Sequence, residues 1–197
     1  MTEKQRAYDS AQTKERILSH AQALFSQKGY KGVSISDICE ATGLSKGSIY
    51  HHFKNKEDLF VHLAEAAFAD SWKDWDSRSA RFSSAVDKLY AYSELFADNA
   101  DLSLTKAGED FIATIGADSA VVQKFAAIIT GYVQRFEEII REGIERGEFK
   151  QQESGEMAFA VLSSYSGLAN NTRFLDKENV RRMYRKMTDM LLDGIRK

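Results

Sequence analysis

An all-α chain is what this sequence predicts, on three observations. No proline occurs among its 197 residues, and proline is the residue that helix interiors exclude. Apolar residues recur at three- and four-residue spacings along nearly the whole chain, the period of a helix with one buried face. The composition is that of a globular protein, 43% apolar and 28% charged, which supplies a core and argues against disorder. The length suits one domain or two modest ones.

The elements follow in order. Thr13 is the expected cap of a first helix whose apolar face is Ile17, Ala21, Leu24 and Phe25, with Gly29 ending it. Ser34, followed three residues later by Asp37, is a variant capping box that opens a short helix with Ile35, Ile38 and Cys39 turned inward. Thr42-Gly43 interrupts it. Ser45 caps a third short helix that runs through Lys46, Gly47, Ser48, Ile49, Tyr50, His51 and His52, and Phe53 closes it. A longer helix begins at Lys56, with Leu59, Phe60, Leu63, Ala67 and Phe68 on one face. A helical segment surrounds Val86, Leu89, Tyr90, Leu95 and Phe96, and the stretch 98–118, holding Gly108 and Gly116, is expected to be less regular. The strongest pattern is the seam Val121, Phe125, Ile128, Ile129, Tyr132, Phe136, Ile139 and Ile140. Its far side carries Glu137 with Arg141 and Glu142 with Arg146, acid-to-base pairs four residues apart. Gly147 ends it. Two final helices fit 154–172, lined by Met157, Val161, Tyr165 and Leu168, and 177–195, lined by Val180, Met183, Tyr184, Met187, Met190 and Leu191.

Several function classes are disfavoured. A single cysteine, Cys39, gives no internal disulfide and no cysteine-based zinc site, and its place on an apolar face favours a small core residue over a redox sensor. No apolar stretch is long enough to span a bilayer, and residues 1–12 lack the apolar core of a signal peptide, so a cytoplasmic protein without membrane contact is expected. There is no glycine-rich phosphate loop, nucleophile elbow or His-Glu-x-x-His, so no catalytic residues and no cofactor are expected. His51-His52 is a poor metal pair, because adjacent residues point apart on a helix. Charge is divided: residues 1–56 hold nine Lys/Arg against five Asp/Glu, whereas the rest holds 18 against 24. A basic head on an acidic body fits a polyanion partner and also an ordinary solvated surface.

The informative segment is 34–53. Two short helices around a tight glycine turn are the sequence form of a helix-turn-helix. The first braces on the core through Ile35, Ile38 and Cys39. The second shares that core through Ile49 and Phe53, which leaves Ser45, Lys46, Gly47, Ser48, Tyr50, His51 and His52 free. Each can donate to a phosphate or base edge, or admit close backbone approach at the glycine, as a helix in a major groove requires. Lys54 and Lys56 follow, where a helix N-terminus plus lysine can clamp a phosphate.

The run Gly29-Tyr30-x-x-Val33-Ser34-Ile35-Ser36-Asp37-Ile38, then Gly43-Leu44-Ser45-Lys46-Gly47-Ser48-Ile49-Tyr50-His51-His52-Phe53-Lys54-Asn55-Lys56-Glu57-Asp58-Leu59, closely resembles the TetR family of bacterial transcriptional repressors. The match covers residues 13–60. The remainder is similar to the multidrug-binding QacR type, through Trp72, Tyr92 and the Gly-x-x-x-Gly-Glu-Phe turn at 143–149. The resemblance implies a homodimer, each subunit with a three-helix DNA-binding domain (1–57) and a six-helix ligand-binding and dimerisation domain (58–197). By position it implies double-stranded operator contacts from Ser34, Ser36, Lys46, Gly47, Ser48, Tyr50, His51, His52 and Lys56, to which the chemistry of the segment adds Ser45 and Lys54. It also implies a four-helix dimer bundle built from the last two helices, with Val161, Tyr165, Leu168, Met183, Met187, Met190 and Leu191 at the seam.

The expected effector pocket draws on Trp72, Tyr92, Phe96, Phe111, Phe125 and Tyr132, with Glu94 and Glu109 as acids that could meet a cation. Trp72 fits pocket lining and core cover equally. Such an aromatic lining favours an apolar or planar small molecule over a sugar or nucleotide. Where the QacR type places two adjacent acids before the tryptophan, this chain has Phe68-Ala69, with Asp70 nearest. Cationic drugs, long-chain acyl compounds and neutral aromatics therefore all stand as candidates. The rival reading is a helical binding protein or enzyme that ignores DNA. The composition of the third helix speaks against it, since such a protein has no need of Ser-Lys-Gly-Ser, Tyr and two His on one exposed turn.

Overall fold

The structure, a computed structural model, describes residues 3–100, 104–172 and 174–196. Among them nine helices follow one another: α1 (Glu3–Lys28), α2 (Ile35–Thr42), α3 (Lys46–His52), α4 (Lys56–Ser79), α5 (Ala85–Asp98), α6 (Thr105–Ile115), α7 (Ala120–Glu145), α8 (Ser154–Asn171) and α9 (Lys177–Ile195). No helix of the described residues is long and apolar enough to cross a membrane.

Polar residues at the ends set the short elements. Ser34 Oγ accepts from Asp37 N at 3.2 Å while the Asp37 carboxylate accepts from Ser34 N at 2.7 Å, so the capping box is complete. Gly43 ends α2 at φ +68°, a conformation that costs a side chain dearly. Thr42 Oγ1 donates to Ile38 O at 2.6 Å and accepts weakly from Leu44 N, which tightens the turn. Ser45 then caps α3 by accepting from Ser48 N at 3.1 Å.

The chain divides into two compact units. One comprises Met1–Ala67 and Lys106–Phe125; its core centres on an aromatic knot of Phe25, Tyr30, Phe60, Phe111 and Phe125, with ring centroids 4.9–5.8 Å apart. The other comprises Phe68–Thr105 and Ala126–Lys197. In it α5 packs on α9 and α8, and α8 on α9. Buried hydroxyls tie the last two helices: Tyr165 Oη lies 2.9 Å from Thr188 Oγ1, and Tyr184 Oη donates to Tyr165 O at 3.0 Å. After α7, Glu148 N and Phe149 N both donate to Gly143 O, folding the buried Phe149 ring back over the glycine. Lys150 N donates to Ile195 O at 2.8 Å, which fastens the turn to the end of α9.

Two expectations are corrected. Thr13 does not cap α1, which begins at Glu3; its hydroxyl donates back to Asp9 O at 2.8 Å inside the helix. The preceding residues are mostly good helix formers, and nothing among them breaks the ladder. The stretch 98–118 is also more ordered than its glycines imply. It contains α6, which buries Ala107, Gly108 and Phe111 on one face and ends at Gly116 with φ +93°. Residues 101–103 of that stretch lie outside the described residues.

Candidate nucleic-acid interface and aromatic cluster

Exposure along α3 follows the helical wheel. Ile49 and Phe53, four apart, are 0% and 1% exposed. Ser48 and His52, also four apart, are half-buried. Lys46 with Tyr50 and Gly47 with His51 form the adjoining i,i+4 pairs, and all four are exposed, Tyr50 by 51%. One face therefore anchors the helix and the opposite face carries an ammonium, a phenol, an imidazole and a gap. A Cβ built at Gly47 would meet only Ser45 Oγ, at 3.7 Å. The fold itself thus has no need of glycine there; what the missing side chain opens is approach from outside.

The flanks are more engaged than the sequence implies. The Ser34 hydroxyl donates to Asp37 Oδ2 at 2.5 Å and Ser45 Oγ lies 3.0 Å from Ser48 Oγ, so these serines serve their own caps, whereas Ser36 and Lys54 are exposed. The N-terminus of α4 is closed internally: Asp58 N donates to Asn55 Oδ1 at 2.7 Å and Lys54 N to Asp58 Oδ2 at 2.9 Å. Lys56 Nζ donates to Tyr30 O at 2.6 Å and sits 4.0 Å from the centre of the Tyr30 ring. Burial draws its ammonium below the usual lysine range, against the opposing pull of Glu57 and Asp37. Burial likewise lowers His52, helped by repulsion from His51 and Lys14, and so favours its neutral form. Asp37 is held below the usual carboxylate range chiefly by the Ser34 hydroxyl and amide.

The expected pocket residues fall into two groups. Trp72, Tyr92, Phe96 and Tyr132 come together in the second unit: Trp72 lies 5.6 Å from Tyr92 and 5.1 Å from Tyr132 by ring centroid, and Tyr92 lies 5.5 Å from Phe96. Phe111 and Phe125 belong instead to the aromatic knot of the first unit. Glu94 and Glu109 are both exposed, so neither is buried beside a ring. The Tyr92 hydroxyl donates to that of Tyr132, and burial pushes both phenols above their ordinary range, which keeps them protonated. Trp72 is 5% exposed, yet its indole N–H has no acceptor. Trp75, three residues after Trp72 and so also suited by its sequence to the lip of an aromatic pocket, lies 4.8 Å from Tyr92. Two residues were not foreseen: Phe68, 4.7 Å from Tyr132, and Arg135, whose guanidinium lies 4.8 Å from the Trp72 ring centre and pairs with Asp76. Arg135 follows Tyr132 by three residues, a helical spacing that could have revealed it.

Of the expected seam residues, Val161 and Tyr165 are buried within their own unit. Leu168, Met183, Met187 and Leu191 are half-buried, and Met190 is 60% exposed. Phe159 on α8, not foreseen, is also exposed.

Comparison with known proteins accords with this geometry. The family described as "Bacterial regulatory proteins, tetR family" matches residues 17–63, and "QacR-like protein, C-terminal region" matches residues 68–197. The HTH-type transcriptional regulator QacR of Staphylococcus aureus is 23% identical over 185 residues, covering 93% of this chain and 98% of its own. A TetR-family regulator from Agrobacterium tumefaciens superposes with a TM-score of 0.78 at 19% identity, covering 95% of this chain and all of its own. The regulator FadR from Bacillus subtilis, solved in complex with stearoyl-CoA, superposes with a TM-score of 0.73 at 21% identity, covering 92% and 98%. At these identities the two structures speak to the fold alone.

Proposed function

The chain belongs to the TetR family of bacterial regulatory proteins, with a C-terminal region of the QacR-like type, and from that premise we propose a ligand-released repressor that grips a near-palindromic operator as a homodimer. Residues 1–57 form the DNA-binding domain and 58–197 the ligand-binding and dimerisation domain. The exposed face of α3, opposite Ile49 and Phe53, is the observation that carries this reading. Lys46, Tyr50 and His51 reach base edges and phosphates in the major groove, and Gly47 lets the helix backbone approach. Ser48 and His52 border that face. Ser36 and Lys54 contact the phosphate backbone, while Ser34 and Ser45 hold the helix starts that aim at it. Lys56, anchored on Tyr30, offers its remaining donors to a phosphate.

Two recognition helices must sit about one DNA turn apart, roughly 34–36 Å, to read two half-sites. The seam assigned to Leu168, Met183, Met187, Met190 and Leu191, joined by Phe159, holds them there; Val161 and Tyr165 support it from the core. The helix α4 carries Lys56 near one end and Trp72 and Trp75 near the other. A small apolar or aromatic molecule received among Trp72, Tyr92, Phe96 and Tyr132 displaces those rings and α4 with them. It releases DNA insofar as it binds the released state more tightly than the bound one.

The test is fluorescence anisotropy on duplexes from the protein's own upstream region against a shuffled duplex of equal length. Lys46→Ala and Tyr50→Ala should lose about 5- to 150-fold on the specific site, the worth of a base contact, and clearly less on the shuffled one. Equal losses on both duplexes would overturn the assignment of α3.

A further inference from the structure

The aromatic cluster of the second unit contains a chemical demand that its own side chains leave unmet. Trp72 is almost wholly buried and its indole Nε1–H finds no acceptor. Buried donors are rarely left so in a folded protein, and a site built to receive a ligand is one reason for an exception. No neighbouring hydroxyl oxygen accepts from it; those of Tyr92 and Tyr132 bond to each other. Among the described residues of this unit no carboxylate is buried. The charged group over the Trp72 ring is a cation, the Arg135 guanidinium, whose Asp76 partner is exposed.

We infer that the effector carries an accepting oxygen, a carboxylate or a carbonyl, on an apolar body, and that this oxygen takes the Trp72 N–H while the body replaces the ring-to-ring contacts. The inference rests on the reading of this cluster as the effector site. It gives that site a polarity: it favours an acceptor and offers no buried anion to a lipophilic cation. Arg135 lies where a charged acceptor would gain more than a neutral one.

Isothermal titration with four naphthalenes of one shape tests it: 2-naphthoate, 2-acetylnaphthalene, 2-ethylnaphthalene and (2-naphthylmethyl)trimethylammonium. The acid and the ketone should bind at least about tenfold more tightly than the hydrocarbon, the worth of one buried hydrogen bond. Trp72→Phe keeps a ring and removes the N–H, so it should erase the gap between the ketone and the hydrocarbon, which Arg135's charge does not supply; the ratio cancels any general loosening of the cluster. Arg135→Gln should weaken the naphthoate alone if charge matters, and neither oxygen compound if the carbonyl suffices. Tightest binding of the quaternary ammonium, no gap on the unmutated protein, or a ketone-to-hydrocarbon gap that survives Trp72→Phe would each overturn the acceptor and leave the pocket standing. Failure of all four to bind would overturn the pocket itself, and the inference with it.

Discussion

Gly143→Ala asks whether the turn after α7 is held by the contact the structure shows. A Cβ at position 143 would lie 2.3 Å from two carbons of the Phe149 ring and 2.9 Å from the Ala85 Cβ. Neither neighbour can yield easily, since Phe149 is 1% and Ala85 0% exposed, and the Phe149 amide is bonded to Gly143 O. In an open helix the change would stabilise by about 1 kcal/mol, because glycine is the poorer helix former. Overpacking costs about 1–3 kcal/mol, and full expulsion of a buried phenylalanine about 3–5 kcal/mol. With the ring blocked on both sides the outcome lies toward expulsion, a net loss of about 2–4 kcal/mol. For a domain of this size that is a fall in Tm of about 5–15 °C. Urea and thermal unfolding of the single variants and of Gly143→Ala/Phe149→Ala measure it. In the Phe149→Ala background the added methyl has no ring to strike, so the double variant should be more stable than additivity allows by at least about 1 kcal/mol. An unchanged or raised Tm for Gly143→Ala, or strict additivity, would refute the steric argument.

Two further outcomes are expected. Met190→Asp places a charge on a residue 60% exposed in the subunit, so the fold should survive while size-exclusion chromatography and sedimentation show monomers and operator affinity falls; a stable dimer with unchanged affinity would sink the proposed seam. Ser34→Ala removes the α2 cap and should lower stability at pH 7 by about 1 kcal/mol. Because Asp37 is held below its usual range in the folded state, the stability it contributes is present above about pH 4 and is lost as pH falls through the lowered value. Unfolding midpoints between about pH 6 and 2 should therefore fall less steeply in Ser34→Ala than in the unmutated protein; parallel acid limbs would show that the cap does not set this carboxyl.

What could be read from the sequence was what is decided locally. Ser34 and Asp37 are three residues apart, Gly43 stands where a helix must stop, and Ile49 and Phe53 are four apart. Each of these relations is complete within one or two turns. What stayed illegible involves partners distant in sequence. Gly108 looks like a breaker until Phe125 is seen, whose ring would lie 3.1 Å from any Cβ there. Lys56 reads the same whether it faces a phosphate or the Tyr30 carbonyl 26 residues earlier. Aromatic residues counted together, Phe111 and Phe125 with Trp72 and Tyr92, fall into separate units because nothing in a count says which rings meet. The burial of Tyr165 within its own subunit was hidden for the same reason. Its spacing on α8 is right for a buried stripe, and the stripe faces its own subunit.

The division of labour on α3 also bears on how such a protein can diverge. Lys46, Gly47, Tyr50 and His51 are exposed and contribute little to the packing that Ile49 and Phe53 supply. On the proposed reading, substitutions at these four positions change what DNA is read at small expense in folding, whereas changes at the two anchors do the reverse. After gene duplication, a copy could wander through operator sequences without first acquiring compensating stability, and natural selection would meet few dead ends on the way. A laboratory library confined to the same four codons should share that property, yielding mostly folded members whose preferred sites differ.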